Sequence, residues 1–242
     1  ATGVTVRPCA MEYTGLSVAG PAAREILQPL MSEDLSTAAF PFMSFKRMDV
    51  GMIPTLMGRV SFTGDVGYEL WVTSDYQRAL YDLLLAAGKP HGLKVIGGRS
   101  LNSMRLEKSF GTWAREFRPI YGPYEAGLGR FVDLKKADFI GRAAAEAEKA
   151  SGGVRRLITL NVDATDADAI GDEPIYHNGE VAGWVTSGGY GHSVGKSLAM
   201  GYVNNAVADE ISGFEVELIG ERRAAVRLAE AAFDPSGARM RA

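Results

Sequence analysis

Residues 62–71 read Phe62-Thr63-Gly64-Asp65-Val66-Gly67-Tyr68-Glu69-Leu70-Trp71, and the alternation of this stretch decides the kind of fold around it. Two glycines bracket an acidic turn. After it, Tyr68, Leu70 and Val72 face one side of an extended chain, while Glu69, Trp71 and Thr73 face the other. One apolar side implies a strand whose sheet is covered on that side only. The flanking segments supply the cover. Residues 13–30 read as a strand and then a helix, with Pro21 at the first helical position, Ile26, Leu27 and Leu30 as an apolar stripe, and Pro29 marking the end. Runs at 45–50 and 53–62 meet at Val50-Gly51-Met52, as two strands of a hairpin would. A helix is expected from about Asp75 to Ala87, with Leu80, Leu83, Leu84 and Ala87 on one face and Gly88 at C′, and another over 98–110. Strand, helix, hairpin, strand, helix predicts an α+β fold of helices on an antiparallel sheet.

Composition changes after about residue 145. The run "AAAEAEKASGGVRR" closes on a Ser-Gly-Gly break, beyond which helical periodicity nearly vanishes and short alternating runs follow. Asn178-Gly179 sits between two such runs, the strongest short hairpin signal available. The expected division is therefore an α+β domain over 1–150 and a small β-barrel or sandwich over 151–242.

The 242 residues are 46% hydrophobic and 23% charged, enough to bury a large core, and the net charge of −3 argues against a duplex-binding surface. Nucleic acid is not an expected partner. Cys9 is the only cysteine, and His91, His177 and His192 lack metal-ligand spacing, so neither a disulfide framework nor a metal site is expected. No stretch reads as membrane-spanning or as a secretion signal, which points to the cytoplasm, or the mitochondrial matrix in a eukaryote. The strand-like "VTV" at 4–6 lies so near the first residue that further sequence is expected to precede it.

The glycine-rich segment 188–197, "GGYGHSVGKS", misses both nucleotide-binding fingerprints. Tyr190 stands where a Walker loop needs glycine, Gly191 and Gly195 are spaced wrongly for a dinucleotide motif, and a strand-like run follows in place of a helix. It reads as a loop between strands. "GGRSLNSMRLEKSFGTW" (97–113) reads as a helix with exposed Arg105, Glu107 and Lys108, and residues 123–145 as a loop and a short strand. Spacing leaves Glu69 two readings. It is a solvated glutamate on a half-exposed strand, or a carboxylate at a cavity mouth accepting parallel hydrogen bonds from a planar ring edge with an N–H beside an NH₂, as guanidinium and pterin present.

Taken in order, "FTGDVGYELW", "MRLEKSFGTW", "PYEAGLGRFV", "ADFIGR" and "VTSGGYGHSVGKSLAMGYV" resemble the signature blocks of the aminomethyltransferase family, the glycine-cleavage T-proteins. The likeness is greatest to the tetrahydrofolate-binding C-terminal part of dimethylglycine and sarcosine dehydrogenases. The resemblance implies a three-domain folate-binding cloverleaf, with residues 1–145 supplying parts of two domains and the third a β-barrel. It makes Glu69, Phe62, Tyr68 and Arg99 the candidate folate-binding residues. Glu69 stands where the family holds the pterin edge, and Phe62 where a tyrosine is common. Leu101 stands where the family has a folate-holding arginine, which leaves Arg99, two residues earlier, as the carry-over.

The family's catalytic acid would lie upstream of this chain, so no catalytic residue is expected within it. The implied activity is the folate-binding one-carbon portion of a flavin-dependent N-methyl amine dehydrogenase, capturing a formaldehyde-level carbon as 5,10-methylenetetrahydrofolate. FAD would belong to a covalently linked upstream domain. Two alternatives stay open, a free-standing folate-dependent aminomethyltransferase or demethylase and a non-catalytic scaffold of the same fold.

Overall fold

A computed structural model describes residues 3–242. Its described residues form two compact units, 3–97 with 236–242, and 98–235.

The first unit contains β1 (Tyr13–Ala19), α1 (Ala23–Leu27), β2 (Phe45–Val50), β3 (Ile53–Gly58), β4 (Gly67–Thr73) and α2 (Gln77–Gly88). The strands make one antiparallel sheet in the order β1-β4-β3-β2. The alternation expected in β4 is present: Tyr68, Leu70 and Val72 are fully buried, while Trp71 and Thr73 are exposed. That inner face packs with Val18, Met48, Val50 and Met57 against Ala23 and Leu27 of α1 and Leu80 and Leu84 of α2. Each such aliphatic side chain, fully buried, contributes about 1.5–3 kcal/mol.

Several local expectations are corrected. Pro21 lies in the turn before α1, which starts at Ala23. The second hairpin strand ends at Gly58, and Val4 and Val6 are exposed and lie outside any strand. Gly88 is the last residue of α2, and the chain continues through a 3₁₀ turn to Gly92, which takes the left-handed conformation. Gly88 is required for space instead: a Cβ there would lie 2.4 Å from Leu93 Cδ2.

The second unit contains α3 (Gly98–Glu107), α4 (Arg142–Ser151) and six strands: β5 (Arg155–Val162), β6 (Pro174–His177), β7 (Glu180–Gly191), β8 (Lys196–Asn204), β9 (Phe214–Leu218) and β10 (Glu221–Leu228). They close into an antiparallel barrel in the order β10-β5-β8-β7-β6-β9. Register shifts in β6 and β7 bend the strands as closure requires. Residues 123–141 carry no strand, and α4, unforeseen, runs through the alanine-rich stretch that composition marked only as a boundary.

Strand β8 explains why residues 98–154 fold with the barrel. From Ser197 to Val203 it is buried on both faces. Ala199 and Val203 point into the barrel with Leu160, Val185 and Val216, whereas Leu198 and Met200 pack outside against Leu106 of α3. Tyr202, also outside, stacks on Tyr121 with centroids 3.7 Å apart. A strand apolar on both sides needs a layer on each.

Two hairpins bear on turn chemistry. Asn178 and Gly179 both have positive φ, 51° and 86°, as the Asn-Gly signal predicted. Ile219 and Gly220 repeat the turn between β9 and β10, with Ile219 at φ 51°. A β-branched residue is strained there, and Ile219 is 90% exposed, so nothing compensates. Ile219→Asn is expected to stabilise the protein by about 0.5–1 kcal/mol, seen as a higher urea midpoint at unchanged m-value.

Candidate functional site

The outer face of the first unit's sheet carries Glu69. Its residues fall in rows set by strand register: Ser17, Glu69, Gly58 and Phe45 in one, and Gly15, Trp71, Leu56 and Arg47 in the next. Both glycines support an aromatic ring. A Cβ on Gly15 would lie 3.0 Å from the Trp71 indole, and one on Gly58 would lie 2.7 Å from the Phe45 ring. The rings therefore lie on bare backbone, Phe45 over the strand beside Glu69 and Trp71 toward β1 one row along. An isolated glycine inside a strand pattern signals such close approach, and Gly15 and Gly58 were legible in that sense.

Glu69 is partly buried, in the row of Gly58 and Phe45 and two residues before Trp71 on the same face of β4. Its carboxylate makes no hydrogen bond or ion pair among the described residues, which leaves its acceptors available to a ligand edge. Farther along the same face, Tyr13, Arg47, Asp49, Pro54, Leu56 and Thr73 are among the residues lining a cavity of about 390 Å³. Glu69 does not line it.

The other candidates are placed differently. Phe62 is 36% exposed in the segment between β3 and β4. Tyr68 is turned to the opposite face of β4 and is fully buried, because strand alternation that brings Glu69 out takes Tyr68 in. Its ring stacks on Phe40 at 6.3 Å and lies 5.3 Å from the Arg59 guanidinium, and its hydroxyl accepts a hydrogen bond from Arg24 Nε. Tyr68 thus supports the strand from beneath. Arg99 stands exposed in the first turn of α3, in the second unit.

Arg105 and Glu107, read as exposed, are buried along with Lys108. Glu107 Oε1 accepts from Ser193 N at 2.6 Å, and Ser103 Oγ donates to Tyr190 O at 2.7 Å, so α3 pins the end of β7 and the turn after it. Of the stretch 188–197 expected as a loop, 188–191 belongs to β7 and 196–197 to β8, so the connection is only residues 192–195, and no helix follows it directly. Arg105 pairs with the fully buried Glu116, Nη1 to Oε2 3.6 Å, and donates to Asn102 Oδ1 and Phe110 O. No group of three or more His, Cys, Asp or Glu side chains among the described residues is placed to hold a metal, and no helix among them is long and apolar enough to cross a membrane.

Comparison with known proteins accounts for this architecture. The family model described as the GCVT N-terminal domain matches residues 1–136, and that of the glycine cleavage T-protein C-terminal barrel domain matches residues 155–234. The chain belongs to the glycine cleavage T-protein family. Within that family it is 42% identical over 228 residues to human mitochondrial dimethylglycine dehydrogenase, covering 94% of this chain and 26% of that protein. It is 36% identical over 215 residues to an aminomethyltransferase of Symbiobacterium thermophilum, covering 88% of this chain and 56% of that one. The chain thus spans about a quarter of the dehydrogenase and just over half of the transferase. Among solved structures, the glycine cleavage system aminomethyltransferase T from Bartonella henselae superposes with a TM-score of 0.80 at 25% identity, covering 92% of this chain and 60% of its own. These relatives are enzymes by name, and the T-protein barrel corresponds to β5–β10. The family models leave residues 137–154 between them, whereas the compact units part at Gly97 and Gly98.

Proposed function

We propose that this T-protein chain is the tetrahydrofolate-binding, one-carbon-transfer portion of a larger flavin-dependent N-methyl amine dehydrogenase. The observation that carries the reading is Glu69: a half-buried carboxylate with no acceptor paired among the described residues, on a strand beside two rings held against glycine, the Trp71 indole over Gly15 and an edge of the Phe45 ring over Gly58. An ionised carboxylate matches a pterin edge that offers an N–H beside an NH₂, and flanking aromatic surface favours a planar ring. Family membership and the name of the human relative support the reaction class, and the 26% share of that relative supports a linked flavin domain carrying FAD.

When bound, tetrahydrofolate supplies nucleophilic nitrogens to a formaldehyde-level carbon. The chain's own part is capture and orientation: Glu69 holds the ring edge and Phe62 offers a ring nearby in sequence. Holding the ring in place converts a bimolecular encounter to a near-unimolecular one. Glu69 positions the ligand without reacting. The amine, the flavin and the carboxylate that manages protons at the folate nitrogen are assigned to the rest of the enzyme, working in the cytoplasm or the mitochondrial matrix.

Calorimetric titration of tetrahydrofolate into the chain under anaerobic conditions tests this. Glu69→Gln replaces one acceptor by a donor and is expected to weaken binding by about 1–3 kcal/mol. Saturable binding that Glu69→Gln leaves unchanged rejects the assignment of Glu69. No binding by the wild-type chain, alone or with the upstream sequence restored, rejects the folate reading in favour of a non-catalytic module.

A further inference from the structure

The turn that delivers Glu69 is held by a distant part of the chain. Between β3 and β4 the bonds within the turn are short-range, Gly64, at φ 87°, donating its N–H to Ser61 Oγ and Val66 N donating to Asp65 Oδ1, while its ends are tied to the sheet by Arg59 N to Ser44 O and Gly20 N to Val66 O. Such a turn has little internal rigidity, since each bond spans one to three residues. Residues 236–242, which follow the barrel in sequence, belong to the first unit and bind both ends of this turn. Asp65 Oδ2 pairs with Arg239 at 3.0 Å. Arg59, the residue after β3, donates from Nη2 to Met240 O at 3.3 Å and to Ala242 O at 2.6 Å, and Arg24 Nη2 reaches the same Ala242 oxygen at 2.7 Å.

Arg59 is unusual on physical grounds. It is fully buried, and no carboxylate side chain among the described residues pairs with it. Burial lowers its pKa, and the nearby Arg24 charge acts in the same direction, while Tyr68 opposes them. Its partners are the carbonyl oxygens of Phe40 and Met240 and an oxygen of Ala242, which as the last residue of this sequence carries a carboxyl group, and its Nε has none among the described residues. A buried cation is tolerated only where fixed dipoles or a counter-charge replace its hydration. Two of its three oxygen partners come from residues 236–242. Arg59 therefore needs that segment in place, and the segment is anchored by Arg59.

We propose that residues 236–242 form a strap that fixes the 59–66 turn, and that Arg59, Arg239 and Asp65 are positioning residues acting on Glu69 through it. The proposal rests on the folate reading for its functional consequence, but its structural half does not. Glu69 is the third residue of β4, which starts at the end of the turn, so slack in the turn becomes slack in where its carboxylate points.

The test uses the full chain and four variants: Arg239→Ala, Arg239→Lys, the exchange Asp65→Arg with Arg239→Asp, and a chain ending at Pro235. The Arg239 side chain is about half exposed, so the point substitutions are expected to fold. Deuterium exchange of peptides covering 60–68, the thermal midpoint and the tetrahydrofolate Kd are read for each. Arg239→Ala is expected to speed exchange in the turn about three- to fivefold and to raise Kd by up to about fivefold, at a thermal midpoint within a few degrees of wild type, the scale of a half-exposed ion pair. Arg239→Lys and the exchanged pair are expected to restore most of both effects. A chain ending at Pro235 is expected to lose turn protection outright. Unchanged turn exchange in both Arg239→Ala and the shortened chain overturns the strap. Altered exchange in a protein that binds no folate sustains the strap and overturns the folate reading alone.

Discussion

Glu116→Ala is expected to destabilise the protein by about 3–5 kcal/mol, the largest effect of any single substitution proposed for it, measured by urea unfolding with far-UV circular dichroism. Glu116 is fully buried and all of its interactions are satisfied. Oε1 accepts from Ser187 Oγ at 2.5 Å, and Oε2 accepts from Thr112 N at 2.8 Å and Thr112 Oγ1 at 3.1 Å, with the Arg105 guanidinium 3.6 Å away. Removing the carboxylate leaves Arg105, itself only 4% exposed, as a buried cation without its counter-charge. Glu116→Gln keeps the shape and neutral hydrogen bonds to Ser187 and Thr112, so a smaller loss is expected. A Glu116→Ala variant as stable as wild type would show that Arg105 finds solvent or another anion.

The same site has a pH signature. Burial pushes the Glu116 carboxyl upward, but hydrogen bonds from Ser187 and the Thr112 backbone, the nearby Thr186 hydroxyl and the Arg105 charge together outweigh it and hold the group below its ordinary value near 4.5. A folded-state value below the unfolded one means that the unfolded chain binds the proton more readily. The stabilisation is complete above the ordinary carboxylate range and is lost as pH falls through the lowered folded value. Wild type is therefore expected to lose stability more steeply than Glu116→Gln below about pH 4.5.

Gly183→Ala is the second large effect. Gly183 lies in β7 opposite Val203 of β8, and a Cβ there would stand 1.9 Å from Tyr202 O and 2.8 Å from the Val203 Cα. The obstacle is backbone, so no rotamer relieves it and the strands must part. The expected loss is about 3 kcal/mol or more, at the upper end of overpacking effects, with the barrel's β7–β8 pairing opened. Gly195→Ala is the control. Gly195 has φ 64°, yet the nearest atom to its Cβ is Tyr190 Oη at 3.8 Å, so only the conformational penalty of about 1–2 kcal/mol applies. Equal losses at the two positions would mean that β7 and β8 adjust freely, contrary to their close approach.

The candidate site was partly legible. Alternation along β4 places Glu69 and Trp71 on one face without reference to any other segment, and that placement holds. The same rule, applied to Tyr68, already separated it from Glu69's face, although resemblance grouped the two. The misreading of α3 has a simple origin. Arg105, Glu107 and Lys108 look like a solvated face because charged residues are usually exposed, and nothing local shows that Glu116 and Ser193, from later in the chain, will meet them. Helix α4 lies in an alanine-rich run whose composition reads as a boundary, because alanine favours a helix without marking a buried face.

By itself the sequence determined the strand faces, the helix-covered sheet, the Asn178-Gly179 hairpin and the family blocks, all of which depend on periods of a few residues or on local turn chemistry. Tertiary structure alone decided which rings lie over Gly15 and Gly58, that the barrel keeps residues 98–154 as the cover of β8, and that residues 236–242 return to hold Arg59 and Asp65. The reason is one of range. A residue's own backbone preferences and its nearest neighbours fix which way it points, but a buried charge or a bare glycine is resolved only by the atoms brought against it, and those come from segments tens to nearly two hundred residues away.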